Sequence, residues 1–174
     1  MRFLFIISTI FLLALATLTG CNTAVEKAAA NKVIVLAAMD AMNSQQYDSF
    51  DQFFAEDLKR HCQATPEVKI SSLAEMIPFV KGWYAAFPDA IMETRMTAAE
   101  GDLVACWGTF TGTHLAPMGD IPATGKRMES ETFAFFRLLD GKIIEMWVTW
   151  DNVAVLRQLG LFPPPAPDQT PEKP

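Results

Sequence analysis

The sequence predicts an α+β domain in which N-terminal helices pack on a strongly bent antiparallel sheet. Apolar residues recur at helical spacing in the first half of the chain, whereas runs rich in β-branched and aromatic residues fill the second half. Helices and sheet must each bury an apolar face, so the two are expected to form packed layers. A bent sheet wrapped by one long helix would enclose a cone with an apolar interior.

The first half contains two helical patterns before a loop. Apolar residues such as Val33 and Leu36 predict a helix over about residues 27–43. Residues 47–54 predict a second, short helix with its phenylalanines inward. A loop through His61 is expected to follow it.

The third helix begins at a capping-box pattern, because Ser72 is followed three residues later by Glu75. Trp83 and Tyr84 are adjacent, and neighbouring side chains on a helix point in different directions, so we expect only Trp83 to face the cone. The apolar face of this helix consists of Leu73, Met76, Ile77, Val80, Trp83 and Phe87.

Four strands and a closing helix are predicted after the third helix. The strands are residues 91–99, 103–113, 127–139 and 142–150. Asp140-Gly141 predicts a tight hairpin between the last two strands, because both central positions of such a turn require positive φ. A short helix over residues 152–159 is expected to end at Gly160.

Residues 1–20 are typical of a secretory signal peptide, because Arg2 is their single charge and an apolar stretch follows it. Leu18-Thr19-Gly20-Cys21 resembles the lipobox of bacterial lipoproteins, whose cysteine thiol receives a diacylglycerol group. The resemblance implies a mature chain that begins at lipidated Cys21 and is anchored in the cell envelope. Asn22 differs from the aspartate that favours inner-membrane retention, so we expect the outer membrane, facing the periplasm. A plain signal peptide with a chance cysteine is the alternative.

Composition suggests the domain organisation. Residues 1–20 form the signal peptide, 21–30 a lipidated tether, 31–162 one domain, and 163–174 a disordered tail that holds six of the eleven prolines. Removing Arg2 leaves 13 basic and 20 acidic residues, a net charge of −7. This acidic balance disfavours nucleic acid as a partner.

Neither a metal nor a cofactor is predicted. His61 and His114 lack the spacing of a metal site. Cys62 and Cys106 remain after lipidation, and an exported compartment would permit a disulfide between them. Two unpaired cysteines are the alternative, because their separation carries no spacing signal.

The domain also resembles a known family. Short blocks occur in the order and spacing of the SnoaL-like polyketide cyclases, a family also called ester cyclases, from about residue 31 to 161. The resemblance implies a cone-shaped α+β barrel like that of nuclear transport factor 2. The blocks are Phe87-Pro88-Asp89, Ala99 to Val104, Gly112-Thr113-His114, Ile121 to Lys126, Asp140 to Ile143, Trp147 to Asp151 and Leu156 to Leu161.

The resemblance implies a catalytic pair that this chain lacks. Characterised members close a polyketide ring with a carboxylate on the last strand, and a histidine on the preceding strand accompanies it. A carboxylate in an apolar cavity has a raised pKa, which suits proton transfer near neutral pH. The matching positions hold Val148 and Ala134, and neither side chain can move a proton. We therefore expect the family's fold without its cyclase mechanism.

Strand alternation identifies candidate ligand-binding residues. If Val148 points inward, Ile144 shares its face, and Thr132 shares the facing side of the preceding strand. The resulting wall would be apolar and aromatic, which suits a flat or aliphatic ligand. A filled core without ligand space is the alternative, since apolar stripes usually mean packing. The candidates are Trp83, Ala134, Phe136, Met146, Val148 and Trp150.

Asp151 and His61 are the candidate catalytic residues. Asp151 ends the last strand at the position that matches the family's acidic residue, and the alternative, a cap for the following helix, is the favoured role. The resemblance places His61 near a cavity mouth, where an imidazole could transfer protons, and a loop histidine bonded to backbone is the alternative. His114 follows a strand end and is expected to anchor the next loop rather than to catalyse.

Two functions fit these observations. The first is a membrane-anchored protein that binds a small apolar molecule in its cone without cyclase activity. The second is an enzyme of the ester-cyclase or isomerase type in which Asp151 and His61 transfer protons. The family resemblance also implies a homodimer that pairs through the open face of the sheet.

Overall fold

The computed structural model describes residues 24–162. Its helices are α1 (24–43), a 3-10 helix (Tyr47–Gln52), α2 (Leu73–Ala86) and α3 (Asn152–Leu159). Its strands are β1 (Phe54–Cys62), β2 (Ile91–Glu100), β3 (Leu103–Thr113), β4 (Arg127–Leu139) and β5 (Lys142–Trp150). The predicted signal peptide, Cys21 and the proline-rich tail lie outside the described residues. Residues 24–30 of the predicted tether belong to α1.

Helices pack on one curved, unclosed sheet of five strands, which confirms the predicted α+β class. The sheet order is β1-β5-β4-β3-β2. The four predicted strands form an antiparallel meander with the expected hairpins. Asp140 and Gly141 both have positive φ, at 49° and 77°, as a tight turn between β4 and β5 requires.

The loop predicted through His61 is wrong, because that segment forms β1. This strand pairs in parallel with β5 at one edge of the sheet, so the sheet is mixed. Three charged side chains, Glu56, Asp57 and Lys59, face solvent on this edge strand and obscure its apolar alternation. The predicted helix over residues 47–54 is correspondingly shorter, a 3-10 helix that ends at Gln52.

The sheet bends where its register shifts. Shifts occur on β2 between Thr94 and Met96, and on β5 at Ile144, which is the extra residue opposite the step from Arg137 to Leu138. A bulge of this kind bends its strand and increases the local twist. Gly108 on β3 lies opposite the first shift, where the backbone of Glu93 approaches so closely that a Cβ would collide with it.

The helices cover the concave side of this bent sheet. Ser72 caps α2, because its Oγ accepts a hydrogen bond from the backbone N–H of Glu75 at 3.2 Å. The Glu75 carboxylate in turn accepts from the backbone N–H of Ser71 at 2.7 Å, which completes the predicted capping box one residue earlier than the usual pattern. The largest fully buried side chains beneath the helices are Phe50, Phe54, Leu58, Phe87 and Phe136.

The outer face of the sheet carries exposed aromatic residues. Phe133 and Phe135 on β4 are 50% and 52% exposed, and the Phe133 ring stacks on that of Trp107. Such a face suits association with another apolar surface. The predicted homodimer through this face stays a prediction.

Within residues 24–162, no helix has the length and apolar character that crossing a membrane would require.

Gly108→Ala is expected to destabilise the fold by about 1–3 kcal/mol, because the new Cβ would force β3 away from the Glu93 carbonyl. Gly82→Ala is the matched control. Gly82 lies inside α2 with open space at its Cβ position, so alanine there should stabilise by about 0.5–1 kcal/mol. Urea unfolding of both variants measures the difference, and an equal stability of the two would contradict the proposed close approach.

Candidate functional site

A cavity of about 160 Å³ lies between α1, α2 and the concave face of the sheet. Its wall is rich in methionine, because six of the nine methionines of the chain line it. Unbranched, polarisable methionine side chains adapt to ligands of different shape. These residues are Met39, Met42, Met76, Met92, Met128 and Met146.

All six side chains that strand and helix patterns select as ligand-binding candidates line this cavity. They are Trp83, Ala134, Phe136, Met146, Val148 and Trp150. Ala134 and Val148, the two positions that the resemblance assigns to an acid/base pair, are direct register partners on β4 and β5. Both side chains are apolar, so they form one continuous apolar patch of the wall.

Two expectations about the wall are wrong. The sequence predicts that Ile144 points inward, but Ile144 is the extra residue where the register of β5 shifts, and Ile143 is the buried residue instead. Tyr84 was expected to face away, yet it is buried and lines the cavity together with Trp83. Both can do so because the cavity extends around the side of α2 towards α1.

Trp83 organises the aromatic part of the wall. Its ring stacks on Phe87 with centroids 5.6 Å apart and meets Trp150 edge-on at 5.9 Å. It also meets the edges of Phe79 and Phe110. Edge-to-face and offset-stacked contacts of this kind hold rings in defined orientations. The indole of Trp83 is therefore a rigid part of the wall.

The hydroxyl of Tyr84 is already engaged. It donates a hydrogen bond to Oδ1 of Asn43 at 3.2 Å. The Asn43 side-chain amide also makes two hydrogen bonds of 2.9 Å with the backbone of Met92. It accepts one from the Met92 N–H and donates the other to the Met92 carbonyl. Burial raises the pKa of Tyr84 to about 12, so the phenol stays neutral. This network ties α1, α2 and β2 together around the cavity.

Two free cysteines lie near the cavity, Cys106 in its wall and Cys62 at the end of β1. Burial raises the pKa of Cys106 to about 11. A thiol in that state is a weak nucleophile at neutral pH, because the thiolate is the reactive form. Cys106 therefore contributes to the wall as a small apolar side chain.

One charged side chain lines the cavity, that of Arg60 on β1. Arg60 is only 7% exposed, and its guanidinium lies over the Phe79 ring with Cζ 4.6 Å from the centroid. Sequence reasoning missed this residue because β1 was taken for a loop. Among the described residues, no carboxylate and no histidine lines this cavity.

Asp151 lies outside the cavity wall and caps α3. Its Oδ1 accepts a hydrogen bond from the backbone N–H of Ala154 at 2.9 Å, and its side chain is exposed. This geometry is that of an N-cap residue, one of the two roles that its position suggested.

His61 also lies outside the cavity wall, because it follows Arg60 on β1 and therefore points to the opposite face of the sheet. Its Nε2 pairs with Oε1 of Glu145 at 2.9 Å, and its ring stacks on Trp147. The same carboxylate accepts a hydrogen bond from Arg137 at 2.8 Å. His61 is thus part of a partly exposed network on the outer face.

His114 is fully buried and anchors the loop between β3 and β4. Its backbone pairs with Gly125 and Lys126, and its Nδ1 lies 3.2 Å from the Thr124 hydroxyl. Its ring stacks on Phe87. Within residues 24–162, no group of three or more His, Cys, Asp or Glu side chains is placed to hold a metal ion.

The geometry therefore defines a small α+β domain with a partly open, apolar cavity of the kind that binds small organic molecules. The family model for SnoaL-like polyketide cyclases matches residues 32–159. The chain belongs to this family. No curated protein matches it.

Solved structures of several bacterial proteins share the fold. IdmH of Streptomyces antibioticus, a candidate polyketide cyclase, is 27% identical with a TM-score of 0.67, and the match covers 75% of this chain and 98% of IdmH. AclR of Streptomyces galilaeus, a candidate hydroxylase, is 28% identical with a TM-score of 0.68 over 78% of this chain and 99% of AclR. A SnoaL-like polyketide cyclase of Agrobacterium tumefaciens is 25% identical with a TM-score of 0.63, covering 75% of this chain and 98% of its own.

These relatives bear on the domain in two ways. Their solved chains consist almost wholly of the matched domain. The names of two of them also point to different reactions, cyclisation and hydroxylation, so the fold alone does not specify the chemistry.

The thiol of Cys106 is expected to react slowly in the folded protein. With a pKa of about 11, roughly one thiol in a thousand is ionised at pH 8, and burial hinders access further. In a chain that begins at residue 22 and carries Cys62→Ser, only Cys106 remains, so its reaction with Ellman's reagent can be followed alone. We expect a rate about 100-fold lower than in urea. Equal rates in both states would contradict the buried position.

Proposed function

We propose that this protein is a lipid-anchored binding protein of the bacterial cell envelope that holds a small, largely apolar molecule in its cone. The observation that carries this proposal is a partly open cavity whose wall is apolar and aromatic and, within residues 24–162, has no carboxylate or imidazole. Such a site can bind by excluding water, but it offers no general base to take a proton from a substrate.

The size of the cavity limits the ligand. Engineered apolar cavities of about 150 Å³ bind benzene, and sites for drug-sized molecules have about 300–1,000 Å³. A cavity of about 160 Å³ therefore suits one aromatic ring or a short aliphatic chain. A fused polyketide ring system would need substantial expansion of the wall.

The enzymatic alternative has less support. Asp151 and His61 both lie outside the cavity wall, and each is engaged in a local interaction that explains its position. Tyr84 and Cys106 do line the cavity, but both stay protonated near neutral pH. A reaction that needs proton transfer inside the cone would have to draw on groups other than these.

Ala134→Leu is expected to abolish binding of a single-ring probe, because the larger side chain projects into the cavity from β4. The probe is toluene, added to a chain that begins at residue 22 and carries ¹³C-methyl methionine. In the unsubstituted chain, toluene should shift the methyl signals of the cavity methionines and raise the melting temperature.

Phe135→Leu is the matched control, because Phe135 is the next residue on β4 and lies on the exposed outer face. This variant should bind toluene as the unsubstituted chain does. Absence of any methionine shift in the unsubstituted chain would overturn the proposed binding function. Binding that survives Ala134→Leu would assign the ligand to another site.

The membrane anchor is a separate part of the proposal, which rests on the lipobox-like Leu18-Thr19-Gly20-Cys21. Cys21→Ser is expected to remove the lipid, so that the protein shifts from the membrane fraction to the soluble fraction of the envelope. Metabolic labelling with a fatty acid would follow the same change. Cys62→Ser, which leaves the lipobox intact, is the control. Unaltered labelling of the Cys21→Ser variant would contradict lipidation at this residue.

A further inference from the structure

Arg60 is a buried charge without a protein counter-ion. Its Nη1 is closed off from solvent and has no hydrogen-bond partner, and the whole residue is 7% exposed. Within residues 24–162, the ion pairs are formed by other side chains, and none includes Arg60. Burial lowers the pKa of Arg60, and a hydrogen bond with Cys62 partly opposes this effect.

A charge in this position is costly for the fold. A guanidinium remains protonated in proteins, so it cannot relieve burial by losing its proton. Removing an ionised group from water destabilises the folded state unless a partner of opposite charge replaces the lost hydration. The Phe79 ring beneath the guanidinium supplies a cation–π contact, which offsets part of this cost and leaves Nη1 unpartnered.

The location of Arg60 connects this charge with the proposed ligand site. Arg60 lines the cavity and also lines a groove of about 450 Å³ at the β1 edge of the sheet. Val148 lines both spaces as well. These two side chains therefore form the partition between the cavity and the groove. Every other side chain in the cavity wall is uncharged at neutral pH.

We propose that the cavity takes an organic anion, a small aromatic or aliphatic carboxylate whose apolar body lies among the methionines and whose charged group pairs with Arg60. This inference rests on the proposed binding function and adds the charge of the ligand. The carboxylate supplies the missing counter-ion, and the unpartnered Nη1 supplies a charge-assisted hydrogen bond. Because Nη1 is covered in the structure, binding requires a neighbouring side chain such as Phe79 to rotate.

The size of the cavity agrees with this class of ligand. One ring with a carboxylate is close to the largest molecule that about 160 Å³ can hold without rearrangement. The groove beside Arg60 is also lined by Lys69, a second cation. The protein as a whole is acidic, but within residues 24–162 no carboxylate lines this groove, so its lining favours an anion.

The test compares benzoate with benzamide, which have nearly the same shape but differ in charge. Both are titrated at pH 7 into a chain that begins at residue 22 and carries ¹³C-methyl methionine. We expect benzoate to bind about tenfold more tightly than benzamide, because only benzoate offers Arg60 an ionised acceptor. Shifts of the cavity methionines locate the binding site.

Arg60→Met tests whether Arg60 causes the preference. Methionine keeps much of the side-chain length and resembles the rest of the wall, and replacing an unpaired buried charge with an apolar side chain is often tolerated. This variant should lose the preference for benzoate over benzamide, and the ratio of the two affinities is the readout. Arg60→Lys should retain part of this preference. Arg95→Met is the control, because Arg95 lies on an exposed part of β2 outside the cavity wall. It should leave the affinities for benzoate and benzamide unchanged.

The outcomes separate this inference from the proposed function. If toluene binds but benzoate and benzamide bind equally, the anion inference is overturned and the binding function stands. If benzoate is preferred equally before and after Arg60→Met, the assignment to Arg60 is overturned. If no probe shifts a cavity methionine, the binding function itself fails. Should Arg60→Met not fold, the benzoate and benzamide affinities of the unsubstituted chain still decide whether charge is recognised.

Discussion

The bend of the sheet is the constraint on which the rest of the molecule depends. A flat sheet would bring its side chains into direct contact with α2 and leave no interior space. Here the register shifts on β2 and β5 curve the concave face away from the helices, and Gly108 permits the close approach of β2 and β3 that this curvature needs. The cavity is therefore a consequence of backbone geometry, and the side chains determine what it can hold.

The character of the wall separates this chain from the mechanism that its family resemblance implies. Ala134 and Val148 face each other across β4 and β5, at the positions that the resemblance assigns to the acid/base pair. Both side chains are apolar, so this patch of the wall offers burial and no proton transfer. Arg60, the one charged side chain in the described part of the wall, comes from a different strand and has the opposite charge to the carboxylate that the resemblance implies. These features are the grounds on which we propose binding of an anion rather than abstraction of a proton.

The alternation of inward and outward side chains along a strand explains which parts of the site could be predicted from the sequence. Along β4, inward and outward side chains alternate without interruption, so Ala134 and Phe136 were assigned to the wall correctly. On β5 the alternation holds from Met146 to Trp150 and fails at Ile144, where the register shift reverses the facing of the residues before it. A regular alternation assumed along β5 does not reveal the extra residue at Ile144, because a bulge is defined only by pairing with the neighbouring strand.

The sequence by itself determined the helices, the four meander strands and the apolar nature of most of the wall, because these follow from local periodicity and turn chemistry. Only the tertiary structure decided that residues 54–62 form an edge strand and that a cavity exists between helices and sheet. It also decided that Arg60 lies in the cavity wall, whereas Asp151 and His61 lie outside it. Parallel pairing with β5 joins segments that are far apart in the chain. Whether a charge is buried or solvated depends on that pairing rather than on its neighbours in sequence.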